Sequence, residues 1–293
     1  MLIMKYLFLS LRPQQWIKNL FIFIPLIFGK KLLVFPNNLK TIIAFCFFSL
    51  AASVAYLVND IIDIKKDKIH PTKRLRPIAS GKINIRQATI TACILGTLSI
   101  ALSFVLDIYF GLVMLGYLLF NFIYSMILKN AVIIDIFCIS FFFLLRIIAG
   151  SLAAGVELSH WIIMMSVLLA LFLGFNKRRQ ELKLLERKAI YHRSVLTKYN
   201  LYFIDQMIAV ITSSIVITYM LYTVDARTVK EFGTKNLMFS IPFVYYGIFR
   251  YLYLIHKIER DDDPIRILLS DRMMQLDIAL WIMVCSAVIY FGF

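Results

Sequence analysis

Nine apolar stretches, at about 14–34, 39–58, 85–105, 109–127, 131–154, 160–176, 203–224, 237–256 and 275–292, follow one another along nearly the whole chain. Each has roughly the 17 to 25 residues that a helix needs to cross a hydrocarbon core about 30 Å thick. The stretches are continuous rather than alternating, and lipid offers no partner to a bare N–H or C=O. They therefore predict helices and not barrel strands. Composition agrees: 293 residues that are 61% hydrophobic and 17% charged, with 25 Phe and a mean hydropathy of +0.80, carry more apolar surface than a soluble core could hide. The expected fold is all-α and integral to the membrane, a single domain over residues 1–293 in which nine transmembrane helices form one bundle around a polar cavity facing the cytoplasm.

Lys and Arg set the orientation. Apart from Arg146 and Arg250, which fall inside or at the edge of spans, only Lys30, Lys31, Lys40, Arg227, Lys230 and Lys235 lie on one side, and all other cations lie on the opposite side. By the positive-inside rule the cation-rich side, with the N-terminus, is cytoplasmic, and nine spans put Phe293 outside a cell (inner) membrane. The apolar opening "MLIMKYLFLSL" has no small-residue cleavage site and reads as a short helix lying in the interface. Cys46, Cys93, Cys138 and Cys285 all fall inside spans without C-x-x-C spacing, and the four histidines are scattered, so neither a disulfide framework nor a zinc site is expected.

One stretch breaks the apolar pattern: "LVNDIIDIKKDKIHPTKRLRPIASGKI", residues 57–83. If the second span stays helical past Val58, a turn of about 100° per residue places Asp60, Asp63 and Asp67 on one face with Asn59 beside them. Carboxylates so close at the mouth of an apolar bundle need a cation between them. Hard oxygen donors, few in number and leaving room for phosphate oxygens, suit Mg²⁺. Pro71 is expected to end the helix and to bias His70 away from the α region, after which Lys73, Arg74, Arg76 and Lys82 supply phosphate clamps. A wet cytoplasmic loop can be charged for topology alone. The helical phase of the acids, the proline and the neighbouring cations together favour a metal–diphosphate site.

These residues carry a resemblance. "NDIIDIKKDKIHPTKRLRPIASG" resembles the first signature, N-D-x-x-D-x-x-x-D followed by H-P-x-K-x-R-P-I-x-x-G, of the UbiA superfamily of intramembrane prenyltransferases. Within it, "RPQQWIKNLFIFIPLIF" at 12–28 and "LGFNKRRQEL" at 173–182 look like the branch that moves a 5-phosphoribosyl group from phosphoribosyl diphosphate to a polyprenyl phosphate. The resemblance implies that Asp60 and Asp63, with Asn59 and Asp67, hold Mg²⁺ on the diphosphate, and that Lys73 and Arg76 neutralise its remaining charge. Ordinary members carry a second aspartate-rich motif after the sixth span, where this chain has "KRRQEL" and Glu181 as its one acid. On a helix Glu181 can brace both Lys177 and Arg178, which then point at an anion, the ribose 5-phosphate.

Further candidates lie on other spans. Arg12, Gln15, Lys18 and Asn19 open the first span beside Trp16 and read either as a substrate-facing lip or as a snorkelling lysine with an interfacial tryptophan. Tyr124 and Lys129 end the fourth span and match a polar pair that the family places near its site. Asp135 and Arg146 on the fifth span are about 16 Å apart along the axis, too far to pair, and Arg146 receives no catalytic role. The expected partners are a polyprenyl phosphate, phosphoribosyl diphosphate and the bilayer, with no nucleic acid. A prenyl transfer from a polyprenyl diphosphate to an aromatic acceptor is the nearer alternative, against which "KRRQEL" argues. An ion-coupled transporter or structural membrane protein is the more distant one, and it would place ionisable residues near the midplane rather than at the cytoplasmic mouth.

Overall fold

A computed structural model describes residues 2–70, 72–187, 199–257 and 270–292. The described residues contain helices and no strands, and eight of the helices are long and apolar enough to cross a membrane. They fall into two compact units, the first over residues 2–159 and the second from His160 onward.

In the first unit, α1 (Leu2–Ser10) is followed by a 3₁₀ helix (Pro13–Phe23) that runs into α2 (Ile24–Phe28). Next come α3 (Asn37–Ile62), α4 (Ile64–Ile69), α5 (Ile85–Leu106), α6 (Ile108–Met126) and α7 (Ile134–Ala154). Four of the spans expected from apolar length, 39–58, 85–105, 109–127 and 131–154, correspond to α3, α5, α6 and α7. The expected span at 14–34 is not one α-helix. Pro25 lacks an N–H and its ring opposes the carbonyl four residues back, so the segment is divided into the 3₁₀ stretch and five α-helical residues.

That broken segment is held by side chains. Trp16 Nε1 donates to Ser53 Oγ at 3.0 Å, Asn19 Nδ2 donates to Ser49 Oγ at 3.0 Å, and Arg146 Nε donates to Asn19 Oδ1 at 2.8 Å. Gly150 on α7 makes the approach possible, because a Cβ there would stand 2.1 Å from the Ile22 carbonyl oxygen. α3 runs through the middle of the unit and buries Ala44, Ser49, Ala51, Ala52 and Ser53; α5 buries Ala88, Ala92, Gly96, Ser99 and Ser103. Small residues four apart let backbones come close where burial of apolar surface supplies no drive between lipid-bathed helices. Asn84 starts α5 with a capping box, its side chain accepting from Gln87 N–H at 2.7 Å while Gln87 Oε1 accepts from Asn84 N–H at 3.2 Å.

The second unit contains α8 (His160–Arg187), α9 (Leu201–Val224), α10 (Ala226–Phe232), α11 (Ile241–Lys257) and α12 (Arg272–Phe291). A buried polar cluster ties α9 to its neighbours: Tyr219 Oη lies 2.6 Å from Ser240 Oγ and accepts from Trp281 Nε1 at 2.9 Å. Asp271 caps α12 by accepting from Met274 N–H at 2.9 Å, and Arg250 grips its two oxygens at 3.1 and 2.7 Å. The Arg250 hydrogen bonds, aided by the backbone of α12, hold the Asp271 carboxyl below the ordinary carboxylate range.

Candidate active site

α3 delivers Asn59 and Asp60 in its last turn, bends at Asp63 and continues as α4 to Asp67. The helical ladder persists through the bend, with Asp63 N–H bonding to Asn59 O at 2.9 Å and Asp67 N–H to Asp63 O at 2.8 Å. The three acids therefore share one face. Asp60, Asp63 and Asp67 are buried, while Lys65, Lys66 and Lys68 between and beside them are exposed. His70 is extended (φ −73°, ψ 134°) where the helix ends; Pro71 lies outside the described residues.

Burying three carboxylates costs several kcal/mol each unless cations answer them, and here each is answered. Arg76 Nη1 donates to both Asp60 Oδ1 (3.0 Å) and Asp67 Oδ2 (2.6 Å). Arg12 Nη2 pairs with the same Asp60 oxygen, its guanidinium lying 5.1 Å from the centre of the Tyr56 ring. Lys129 Nζ donates to Asp63 Oδ1 at 2.7 Å and reaches Asn59 Oδ1 at 3.5 Å.

Two of these cations come from strained or irregular backbone. Arg12 has a left-handed conformation (φ 52°, ψ 60°) at the start of the 3₁₀ helix. Lys129 lies in a 3₁₀ turn that leads into Ile133, a β-branched residue at φ 68°. Positive φ at such residues costs of order 1–3 kcal/mol and persists only where surrounding contacts over-determine it. Arg12 belongs to the expected lip of the first span, and nothing in the sequence pattern connects it to Asp60. The two are 48 positions apart, so no local periodicity could have joined them.

Of the other expected residues, Lys73 opens a short 3₁₀ turn (Lys73–Leu75) beside this cluster in sequence, its N–H donating to His70 Nδ1 at 3.3 Å. Tyr124 is half-buried one turn before Lys129, edge-on to Phe142 at 5.5 Å between ring centres. Asn19 belongs to a different place: its partner Ser49 precedes Asp60 by eleven residues on α3, about 16 Å along the helix. There it meets Arg146, which also donates to Phe142 O (2.7 Å) and Tyr117 Oη (3.2 Å) and lies against the rings of Phe48, Tyr117 and Phe143. Lys18 is half-buried on the same 3₁₀ helix.

The second charged cluster lies in α8, in the other unit. Arg178 is buried and pairs with Glu181, Lys177 is exposed, and Arg179, buried, donates to Asp205 on α9 at 2.5 and 3.4 Å. The Arg179–Asp205 pair went unrecognised in the sequence, where Asp205 is a single acid inside an apolar span.

Among the described residues no group of three or more His, Cys, Asp or Glu is close enough to hold a metal ion. Mg²⁺ does not need one, since it is commonly held by one or two carboxylates plus substrate phosphates and water. Asp60 and Asp67 fit that role. Their oxygens converge on a single cationic atom, Arg76 Nη1, which marks a point between two hard acidic donors. Asp63 instead turns to Lys129.

The model of the UbiA prenyltransferase family matches residues 22–270. The chain belongs to the UbiA prenyltransferase family. It is 32% identical to the decaprenyl-phosphate phosphoribosyltransferase of Mycolicibacterium smegmatis, over 97% of this chain and 92% of that protein. Identity to the decaprenyl-phosphate phosphoribosyltransferase of Mycobacterium tuberculosis is also 32%, over 97% and 94% of the two chains. The fold is similar to a solved UbiA homologue from Archaeoglobus fulgidus bound to GPP and Mg²⁺, with a TM-score of 0.71 at 18% identity over 97% of this chain and 99% of that one. As a UbiA-family member the chain is a multi-pass membrane transferase.

Proposed function

We propose that this protein moves the 5-phosphoribosyl group of phosphoribosyl diphosphate onto a polyprenyl phosphate, with Mg²⁺ held at Asp60 and Asp67 and with Asp63 nearby. The observation that carries the reading is the α8 cluster. It presents Lys177 and Arg178 with Glu181, beside the Arg179–Asp205 pair, a set with more cations than acids and suited to a phosphate, where a second metal on a prenyl diphosphate calls for acids. Whole-length similarity to relatives named decaprenyl-phosphate phosphoribosyltransferase supports it. The two compact units act as one UbiA domain, with the N-terminus and the charged clusters on the cytoplasmic side of the cell (inner) membrane and the C-terminus outside.

In this reading Asp60 and Asp67 orient the metal end of the donor, and Lys73 neutralises the diphosphate. Arg76 and Arg12, each partly exposed, exchange a carboxylate oxygen for a diphosphate oxygen as the donor enters. Mg²⁺, when bound, supplies charge stabilisation to the leaving diphosphate. An oxygen of the lipid phosphate forms a bond to C1 of the ribose as the C1–O bond to diphosphate breaks and the leaving group takes its electron pair. The nucleophile is already anionic, so no general base is needed. The cations of Arg12, Arg76 and Lys129 supply positive charge next to the diphosphate and do not act as acids. Lys129 keeps Asp63 and Asn59 in place. Lys177, Arg178 and Glu181 position the 5-phosphate, Tyr124 borders the reacting centre, Lys18 belongs to the substrate-facing lip, and Asn19, buried between Ser49 and Arg146, acts by holding that lip in place.

The test is product formation by purified protein in detergent with Mg²⁺, phosphoribosyl diphosphate and a polyprenyl phosphate, read by mass spectrometry. The reading requires the phosphoribosyl lipid to appear. Consumption of a polyprenyl diphosphate with an aromatic acceptor, while phosphoribosyl diphosphate is ignored, would replace it with prenyl transfer, which the carboxylate cluster would serve equally well.

A further inference from the structure

Beside the carboxylates, under α1, lies a cavity of about 330 Å³ whose polar wall is Tyr6, Arg12, Gln14, Gln15 and Lys82. None of these is acidic. Lys82 Nζ lies 4.8 Å from the centre of the Tyr6 ring, and among the described residues no carboxylate pairs with it. The side-chain amides of Gln14 and Gln15 make no hydrogen bond to the described residues, so their N–H groups are available to a ligand beside the Lys82 ammonium. Hydrogen-bond donors and an uncompensated ammonium in one concave site ask for an anion rich in acceptor oxygens.

The rest of the wall is apolar. Leu9 and Leu75 border the cavity and are 47% and 73% exposed, and on the outer side of α1 Met4 and Phe8 are exposed as well. An anion arriving from solvent gains nothing from such a rim, whereas an amphiphile can leave its chain along it. Arg12 connects this cavity to the carboxylates, since the guanidinium that forms part of its wall also pairs with Asp60.

We infer that this cavity receives the phosphate headgroup of a lipid monophosphate, with Lys82, Gln14, Gln15 and Tyr6 as its recognition groups and the hydrocarbon chain leaving past Leu9 and Leu75. The assignment of the headgroup rests on the cavity itself. That the bound lipid is the acceptor of the transfer rests on the function proposed above, and in that case Arg12 stands between acceptor phosphate and donor diphosphate, screening their mutual repulsion.

The test uses full-length protein in neutral detergent with EDTA and no donor, and farnesyl monophosphate as the probe, with binding followed by native mass spectrometry or a fluorescent competitor. Lys82→Met keeps the aliphatic stem at an exposed position and should weaken binding about tenfold, as expected for loss of one charge-assisted contact. Lys82→Arg should restore most of it, and Gln15→Leu should weaken it a few-fold, with all three variants monodisperse. Farnesol, inorganic phosphate and phosphatidylglycerol should each compete at least tenfold more weakly than farnesyl monophosphate. Unchanged affinity in Lys82→Met would overturn the site. Equal competition by inorganic phosphate would overturn the lipid, and equal competition by phosphatidylglycerol would overturn the monoester. No donor is present, so failure of phosphoribosyl transfer with farnesyl monophosphate binding intact would refute the proposed donor and leave this site standing.

Discussion

In the first unit three buried carboxylates are answered by cations brought from distant parts of the chain. In α8 two buried guanidiniums are answered by carboxylates that stay partly in water, Glu181 at 30% and Asp205 at 41% side-chain exposure. The senses are opposite. Asp60, Asp63 and Asp67 balance Arg12, Arg76 and Lys129 charge for charge, so a metal cation arriving with a diphosphate does not leave the cluster unbalanced. In α8 the cations Lys177, Arg178 and Arg179 face the acids Glu181 and Asp205, with Lys177 exposed. In the proposed function the first cluster shares a metal with its ligand and the second holds a phosphate directly.

Replacing Asp60 should break this comparison most severely. Asp60→Asn removes the negative charge shared by Arg12 and Arg76, and turnover should fall by about a thousandfold, the scale of losing a preorganised electrostatic group. The variant should still give a monodisperse peak in detergent. Activity close to wild type at limiting Mg²⁺ would show that the acids of α3 do not hold the metal.

The next largest effect concerns stability. Lys129→Met leaves Asp63 buried without its cation and should cost about 3 kcal/mol, the usual scale for breaking a buried pair from one side. Adding Asp63→Asn should recover most of the loss, measured by denaturant midpoints of the two single variants and the double. An additive double variant would mean that the pair is not coupled.

Arg179→Gln should cost only about 1 kcal/mol, because its partner is partly solvated, and it should leave the KM for the donor unchanged. A raised donor KM would place Arg179 among the phosphate ligands and erase the distinction drawn within α8.

The smallest expected effect lies at Asp271. Its carboxyl is held below the ordinary range by Arg250, so its contribution is present above the unfolded value of about 3.9 and is lost as pH falls through the lower folded value. A thermal unfolding series from pH 6 to pH 3 should show a small loss at the acid end that Arg250→Gln flattens. An identical series in the variant would remove the pair from the account.

Much of this architecture is legible in the chain. Apolar length locates the eight long helices because lipid forces every backbone group to pair within its own segment. The helical phase of Asp60, Asp63 and Asp67 follows from spacing alone, and the bend at Asp63 does not disturb it. Apolar length does not show the break at 14–34, where Pro25 and the polar ties of Trp16 and Asn19 replace one α-helix with a 3₁₀ stretch and a short α-helix. Pairing across the fold is also invisible to periodicity. Lys129, in its own 3₁₀ turn, meets Asp63 across 66 positions, and Arg146 meets Asn19 across 127, where Gly150 one turn further along α7 lets the first segment come close.

The central claim is that α8 grips a phosphate that a prenyl diphosphate does not have, and a paired donor measurement on Lys177→Ala tests it most directly. One charge-assisted phosphate contact is worth roughly 1.5 to 3 kcal/mol. The KM for phosphoribosyl diphosphate should therefore rise about ten- to a hundredfold. The KM for the lipid phosphate should stay unchanged, and ribosyl diphosphate, which lacks the 5-phosphate, should scarcely distinguish variant from wild type. An equal loss with both donors would contradict the claim and make Lys177 a ligand of the diphosphate or of the fold.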